Sequence, residues 1–414
     1  MKKKLKNFIK KNITPSSFFL SRYNHYPLLE NAFTEGDIFA AIEVILSRRI
    51  TMSDITKNFE YEFGKYIGNK YALMTNSGSS ANLLAAFTLI NPKKKFFLKP
   101  GDYFAIPAVC WPTSLWPFVQ SGLKPIFIDV NINNFCLDEE KLDKKLLKKI
   151  SLIVDIHVLG NSSNIDLISK LAKKNNILLF EDTCESLGSI YNSKYLGTFG
   201  DFGSYSFYYS HQVTSGEGGM LICKNKEDYE IAYTLRAHGW DRGLKKNTEK
   251  SFNFINSGFN LRPLDITAAI GLNQFKRLNK MMSTRKENRD VIINAIENHS
   301  DYKKQFIFFQ ENKNLKASWF GLPILLRQDL KEKKNTFLEY LNSNQIETRP
   351  IISGNFLNQP AAKLYNYNYK NMKKEFPVSQ DIEERGFFIG LPTNKINSKQ
   401  LNYLVNKLVN FNGF

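Results

Sequence analysis

The sequence predicts an α/β fold: a large domain with a mainly parallel sheet covered by helices, and a smaller α+β domain at the C-terminus. The chain has 414 residues, more than one ordinary core supports. Short apolar runs alternate with helical periodicity between residues 71 and 182, which is typical of strands buried on both faces of a sheet. Beyond residue 306 the pattern changes to strands mixed with helices, which indicates the second domain.

The spacing of apolar residues places the elements of the large domain in order. Two entry helices are predicted over Asp37–Arg48 and Ile55–Tyr66. The predicted strands are Tyr71–Met74, Tyr103–Ile106, Pro125–Val130, Ser151–Ile156 and Ile177–Asp182, and helices follow Trp111, Asp138 and Asn164. A helix over Glu227–Leu235 and one long helix from about Asp265 to His299 complete the domain.

The smaller domain is predicted to hold strands at Ser318–Leu326, Ile346–Arg349 and Gly386–Leu391, with helices near Leu330–Leu341 and Ser398–Val409. We therefore expect a basic N-terminal extension over residues 1–25, the large domain with its entry helices over 26–299, and the small domain over 300–414.

Composition narrows the class of protein. The formal net charge is +18, but the lysines are scattered and no nucleic-acid motif is present, so we expect no nucleic-acid partner. A solvated lysine-rich surface explains most of this charge, and its field would also attract an anionic substrate. The four cysteines form no C-x-x-C pair, which predicts no metal site, no disulfide framework and a cytoplasmic setting. The apolar runs are too short to span a bilayer.

Several chemically capable side chains follow directly after predicted strands. Trp111, His157, Asp182 and His211 each lie just beyond such an end. In open α/β sheets the functional crevice forms at the carboxyl ends of the strands, so these residues should converge. Asp182 also fits an ordinary strand-end cap, and the sequence leaves open whether His157 lines the site or the core.

The segment T-N-S-G-S-S-A-N predicts a strand-to-helix turn, with Gly78, Ser79 and Ser80 in the first helical turn. The free N–H groups and the positive end of the helix dipole make such a turn an anion site, although serine is also a common helix cap that binds nothing.

The segment Ser204–Met220 predicts a buried strand that delivers His211 at its end, followed by glycines that turn the backbone tightly. Ser206 precedes His211 by five residues. An odd offset on a strand places two side chains on opposite faces, so a bend is needed before both can reach one ligand.

The motifs S-G-S-S-A-N-L-L, E-D-T-C-E-S-L-G, F-Y-Y-S-H, R-A-H-G-W-D-R, G-F-N-L-R-P-L, S-W-F-G and R-P-I-I-S-G-N-F-L resemble those of the DegT/DnrJ/EryC1/StrS sugar aminotransferase family. The resemblance covers nearly the whole chain from Tyr26. It implies a fold-type I enzyme, like aspartate aminotransferase, that uses pyridoxal 5'-phosphate and pyridoxamine 5'-phosphate. Where the family carries the lysine that bonds to the cofactor, this chain has His211, and Lys194 and Lys224 are the nearest lysines on either side.

The resemblance also implies residue roles. Trp111 would stack on the cofactor ring, Asp182 would pair with its nitrogen, and Glu185 would lie near its phenolic oxygen in place of the usual glutamine. Gly78, Ser79, Ser80 and Ser206 would hold its phosphate, together with Asn260 from the neighbouring subunit, which implies a homodimer with shared active sites. His238 and Arg242 are candidate substrate contacts.

A histidine in place of the lysine points to deoxygenation. Imidazole, with a reference pKa of about 6.5, suits acid–base chemistry near neutrality. The resemblance implies a 3-dehydratase that removes the C3 hydroxyl of a nucleotide-linked 4-keto-6-deoxy sugar, best matched by GDP-4-keto-6-deoxy-D-mannose, with L-glutamate as amino donor and ammonia released. A nucleotide-sugar aminotransferase and a non-catalytic nucleotide-sugar-binding relative remain alternatives. Residues 241–257 lack cysteine, so no iron–sulfur cluster is expected.

Overall fold

The structure is a computed structural model that describes residues 2–12, 25–29, 33–244 and 252–414. Its first nine strands are β1 (Ala72–Thr75), β2 (Tyr103–Pro107), β3 (Lys124–Ile128), β4 (Ile150–Ile156), β5 (Leu178–Asp182), β6 (Ile190–Tyr191), β7 (Lys194–Tyr195), β8 (Phe202–Ser206) and β9 (Gly219–Cys223). The helices up to residue 297 are α1 (Lys2–Asn12), α2 (Glu35–Ser47), α3 (Asp54–Ile67), α4 (Gly78–Leu89), α5 (Pro112–Gln120), α6 (Lys144–Leu147), α7 (Ile165–Lys174), α8 (Lys226–Arg236), α9 (Asp265–Phe275) and α10 (Leu278–Glu297).

Seven of these strands form one sheet in the order β1-β9-β8-β5-β4-β2-β3. The five strands from β8 to β3 are parallel, and β9 is antiparallel to both of its neighbours. The prediction of a mainly parallel α/β sheet is confirmed. Because β4, β5 and β8 are adjacent and parallel, the residues that follow them meet at one edge.

The C-terminal part contains β10 (Phe306–Phe308), β11 (Leu315–Lys316), β12 (Gly321–Leu326), β13 (Thr348–Arg349) and β14 (Gly386–Gly390). Its helices are α11 (Lys334–Ser343), α12 (Pro360–Leu364), α13 (Met372–Glu375), α14 (Pro377–Arg385) and α15 (Ser398–Val409). An antiparallel sheet runs in the order β10-β12-β14-β13, whereas β11 pairs with β6. The Tyr26 hydroxyl donates to the Gly390 carbonyl (2.9 Å), so the chain beside residue 26 lies against this sheet.

Two predicted helices differ from the observed ones. The long helix is divided into α9 and α10, and at the division Arg277 takes φ −106° and ψ 0° while its guanidinium reaches Asp37 of α2 (2.6 Å). The helix expected after Asp138 is replaced by a 3-10 turn, Glu139–Lys141, and by the four-residue α6. Asp138 caps the 3-10 turn and Asp143 caps α6, so the chain starts a new helical segment at each aspartate.

The predicted N-terminal extension begins with α1, in which Ile9 is buried; residues 13–24 lie outside the described ranges. Within those ranges no helix combines the length and apolarity that crossing a membrane requires.

Candidate active site

A cavity of about 750 Å³ opens where β4, β5 and β8 end. It is lined from both parts of the fold, since Phe320, Glu347, Arg349 and Phe388 belong to the C-terminal region. Predicted site residues also line it: Gly78, Ser79, Trp111, His157, Asp182, Glu185, Ser206 and His211. The expectation that separate strand ends converge on one crevice agrees with this placement.

The N-terminus of α4 forms one end of the cavity. Ser77 is the N-cap, and its Oγ accepts the N–H of Ser80 (3.1 Å). Ser80 does not line the cavity, because its hydroxyl also lies 3.0 Å from that of Ser77 and serves the cap. Gly78 allows the close approach to β8, since a Cβ there would lie 2.7 Å from the Cβ of Ser206. The hydroxyls of Ser79 and Ser206 and the free N–H groups of α4 form an anion cradle.

The segment between Ser206 and His211 is a turn, so the prediction that His211 ends a strand is wrong. β8 ends at Ser206, whose Oγ accepts the N–H of Tyr208 (3.2 Å) and draws the chain out of the sheet. The N–H of His211 then donates to the Tyr208 carbonyl (3.0 Å). This is the bend that the odd offset requires, and it brings both Ser206 and His211 to the cavity.

Asp182 at the end of β5 is 5% exposed and is held by three donors. The Asn82 amide (2.9 Å) and the Ser114 hydroxyl (2.7 Å) donate to its Oδ2, and the Cys184 N–H donates to its Oδ1 (3.2 Å). Hydrogen bonds of this kind stabilise a carboxylate in its charged form. Its position on the cavity wall leaves that charge available to a cationic N–H of a ligand.

Glu185 is a second carboxyl group on the cavity wall. Burial raises the pKa of its carboxyl to about 7; the Leu159 N–H, which donates to Oε2 (2.9 Å), opposes the rise, and the charge of Asp182 adds to it. Near neutrality a sizeable fraction of Glu185 is therefore protonated and can donate a hydrogen bond into the cavity.

His211 is half-buried and packs against two aromatic rings. Its ring lies edge-on to Tyr208 (centroids 5.9 Å apart, planes at 87°) and to Phe320 (5.1 Å, 82°). Its Nδ1 is buried without a hydrogen-bond partner. Burial, and secondly the charge of Arg285, lower the pKa of His211 to about 3. The expectation of an imidazole pKa near neutrality is not met, because the sequence does not show how strongly the ring is desolvated.

His157 also lines the cavity, but it has a carboxylate partner. Its Nε2 lies 3.0 Å from Oε2 of Glu181. Burial works against its charged form, but the hydrogen bond to Glu181 and the charges of Asp155 and Asp182 prevail and raise the pKa of His157. His157 is therefore both buried and part of the cavity wall, whereas the sequence left open which of the two applied.

Trp111 is 55% exposed at the cavity wall, so a face of its ring is available for stacking.

The sequence did not predict other residues that line the cavity. Glu347 and Arg349 stand together, with Arg349 Nη2 2.8 Å from Glu347 Oε1. Arg349 is the first residue of R-P-I-I-S and Glu347 lies two residues before it, so the motif gave a signal, but only folding brings β13 over the edge of the large sheet.

Three predicted residues lie away from this cavity. Asn260, His238 and Arg242 do not line it. Asn260 is exposed and accepts a hydrogen bond from Arg262 (3.0 Å), and Arg242 stacks on the exterior ring of Trp240 (5.0 Å).

The cavity and sheet are those of a pyridoxal-phosphate aminotransferase fold, and residues 32–409 match the model of the DegT/DnrJ/EryC1/StrS aminotransferase family. The chain belongs to this family. It is 36% identical over 378 residues to GDP-4-keto-6-deoxy-D-mannose 3-dehydratase of Escherichia coli O55:H7, which covers 88% of this chain and 95% of that protein.

Solved structures agree with this relationship. E. coli GDP-4-keto-6-deoxy-D-mannose-3-dehydratase with bound hydrated pyridoxal phosphate superposes with a TM-score of 0.84 at 34% identity, covering 92% of this chain and 99% of the other. A mutant GDP-4-keto-6-deoxymannose-3-dehydratase with bound GDP-perosamine gives a TM-score of 0.81 at 33% identity, with 92% and 100% covered.

Proposed function

We propose that this protein is a pyridoxal-phosphate-dependent 3-dehydratase that removes the C3 hydroxyl of GDP-4-keto-6-deoxy-D-mannose. The observation that carries the proposal is the base in the cavity: among the described residues that line it there is a neutral histidine, His211, and no lysine. An aminotransferase of this family uses a lysine both to bond the cofactor and to move protons. A histidine can move protons but cannot form that bond.

The residues present fit pyridoxal phosphate. The α4 N-terminus, Ser79 and Ser206 form a cradle for a phosphate, and the absent Cβ at Gly78 keeps that cradle open. Asp182 supplies a charged carboxylate for a pyridinium N–H, and Trp111 offers an exposed ring face. When bound, the cofactor supplies an electron sink for the carbon that loses a proton. Non-covalent contacts alone would hold it.

His211 would move the proton. Because Nδ1 is buried and unpartnered, Nε2 is the nitrogen left to exchange a proton with a ligand. Nε2 accepts a proton from the reacting carbon, and the imidazolium is then placed to return it to the departing C3 oxygen. Since the pKa of His211 is lowered to about 3, the ring enters each cycle as a neutral base. A bound anionic ligand would raise this pKa and make the ring a stronger base for accepting the proton.

The overall reaction balances without an external oxidant or reductant, because the two-electron oxidation of L-glutamate matches the two-electron reduction of the sugar. The sugar loses its C3 oxygen, and L-glutamate becomes 2-oxoglutarate and ammonia. We place the sugar nucleotide beside Glu347 and Arg349, because the guanidinium of Arg349 is 57% exposed at the cavity and can bind a phosphate or a hydroxyl. The dehydratase of E. coli O55:H7 acts on a GDP-linked sugar and the mutant dehydratase structure holds GDP-perosamine, which supports GDP as the nucleotide.

We further propose a homodimer in which Asn260 reaches the phosphate site of the neighbouring subunit, with His238 and Arg242 beside the substrate there. Support comes from their position, since all three lie outside the cavity of their own chain. Asn260 is exposed, as such a contact requires. We place the enzyme in the cytoplasm, because its four cysteines are all unpaired.

One experiment tests reaction and substrate together. The purified protein is incubated with pyridoxal phosphate, L-glutamate and a panel of GDP-, CDP-, UDP- and dTDP-linked 4-keto-6-deoxy sugars. We expect ammonia and a 3-deoxy product with the GDP-linked mannose derivative. A 4-amino sugar with its nitrogen retained would show an aminotransferase instead, and no turnover with any sugar would indicate a binding protein.

A further inference from the structure

Arg285 on α10 carries a buried charge without a carboxylate partner among the described residues. Its side chain is 2% exposed, and its Nε has no hydrogen-bond partner. A buried charge without a counter-charge is costly, so the position needs a reason other than stability. The other buried arginines in the described ranges each form an ion pair: Arg236 with Glu60, Arg289 with Asp290 and Arg385 with Asp381.

The hydrogen bonds of Arg285 go to one short segment. Its Nη1 lies 3.5 Å from the carbonyl oxygens of both Trp319 and Phe320. The same segment is tied to the residue after His211, because Nε2 of Gln212 donates to the Ser318 carbonyl (3.1 Å). The chain from Ser318 to Phe320 is thus fixed from two sides.

Phe320 connects this fixed segment to the cavity. Its ring lies edge-on to His211, with centroids 5.1 Å apart, and it also lines the cavity. Arg285 does not line the cavity and so cannot touch a ligand there. Its effect on His211 is indirect: it holds the backbone that carries Phe320, and its charge acts across the apolar packing.

We propose that Arg285 is a positioning residue for His211. It fixes the Trp319–Phe320 backbone so that the Phe320 ring orients the imidazole, and its unpaired charge adds to burial in keeping that imidazole neutral. The role as base rests on the proposed function, whereas the effect on the charge of His211 does not.

The test measures the titration of His211 directly. Full-length protein labelled with 13C at the histidine Cε1 atoms is titrated by NMR; the chain has five histidines, and the His211→Asn variant identifies the signal. Burial and the charge of Arg285 lower the pKa of His211 to about 3. In Arg285→Met the pKa should rise by about one unit, because the nearby positive charge is gone. The control Arg385→Met removes a buried arginine that has its own acid, and should leave the His211 titration unchanged.

Arg285→Lys tests the positioning role and the electrostatic role separately. It also provides a second variant in case Arg285→Met does not fold. Lysine keeps the charge but cannot reach both carbonyls, so the His211 pKa should stay low while kcat falls about tenfold. An unchanged kcat would overturn the positioning role. An unchanged His211 pKa in folded Arg285→Met, or a raised one in Arg285→Lys, would overturn the electrostatic role. Since NMR needs no turnover, an inactive wild-type protein would contradict the proposed function and leave the electrostatic result intact.

Discussion

His157 and His211 lie at the same sheet edge and line the same cavity, but their surroundings differ in charge. His157 belongs to an acidic wall, which we define as Asp155, His157, Glu181 and Asp182. His211 belongs to an aromatic corner, defined as Tyr208, His211 and Phe320. The acidic wall raises the pKa of His157, whereas burial and the charge of Arg285 lower the pKa of His211. The groups packed around each histidine set its role, because the two side chains are of the same type and lie at the same sheet edge.

The difference predicts separate tasks. His157 is tied to Glu181, whose carboxylate also accepts the N–H groups of Gly197, Phe199 and Gly200. A ring held in that way is fixed in orientation. His211 has no such partner and can give up or take a proton without breaking a hydrogen bond. The following changes test this division, from the largest expected effect to the smallest.

Replacing the aromatic-corner histidine should have the largest effect. His211→Asn removes the proposed base and should lower kcat for dehydration by about 10²- to 10⁴-fold. Cofactor binding, measured by absorbance titration, should persist, because the cradle and Asp182 are unchanged. The matched control is His299→Asn, whose ring lies outside the cavity. Full turnover by His211→Asn would show that another group moves the proton.

Removing the central acid of the acidic wall should mainly affect stability. Glu181→Ala leaves His157 and the N–H groups of Gly197, Phe199 and Gly200 without their acceptor, so we expect the free energy of unfolding to fall by about 3–5 kcal/mol. Urea unfolding followed by circular dichroism measures this. Glu332→Ala, at a surface position, should change it by less than about 0.5 kcal/mol. Equal losses in the two variants would contradict the structural role of the wall.

Asp182 belongs to the acidic wall and lines the cavity, so its replacement should change the affinity for the cofactor. Asp182→Asn keeps the shape but removes the charge offered to a pyridinium N–H. We expect pyridoxal phosphate affinity to fall about 10- to 100-fold, equivalent to ~1.5–3 kcal/mol, as for other hydrogen bonds to charged groups. Equilibrium titration of cofactor absorbance measures it, and unaltered affinity would remove Asp182 from the cofactor site.

The two histidines should also affect pH-dependent stability on opposite sides of their unfolded pKa of about 6.5. The folded pKa of His211 is about 3, so the unfolded state binds the extra proton and stability is lost as pH falls from 6.5 towards 3. The folded pKa of His157 is raised, so its contribution is complete below pH 6.5 and is lost as pH rises through the folded value.

His211→Asn should therefore flatten the acidic side of the stability profile, and His157→Asn the alkaline side, each by up to ~1.4 kcal/mol per pH unit. Urea midpoints measured from pH 4 to pH 9 give both slopes. If both variants flatten the same side, the assignment of opposite charge states fails.

Much of the fold followed from local patterns. The runs that end at Ile156 and Asp182 are short, apolar and spaced by helices, and α15 was predicted with its observed bounds, Ser398–Val409. The division between α9 and α10 was not predicted, because Arg277 leaves the helix to reach Asp37, a residue distant in sequence. Likewise, β8 stops at Ser206 because of a side-chain hydrogen bond that an alternating pattern cannot show.

The sequence by itself determined the α/β class, the strand ends that carry Asp182 and His157, the helix N-terminus at Gly78, and the presence of His211 where the family has lysine. Each of these depends on neighbours in sequence or on the motifs. Only the tertiary structure decided that His211 is neutral, that Glu185 titrates near pH 7, and that Arg285 lies unpaired behind Phe320. The reason is that ionisation depends on desolvation and on charges brought together by folding, and those groups come from segments far apart in the chain.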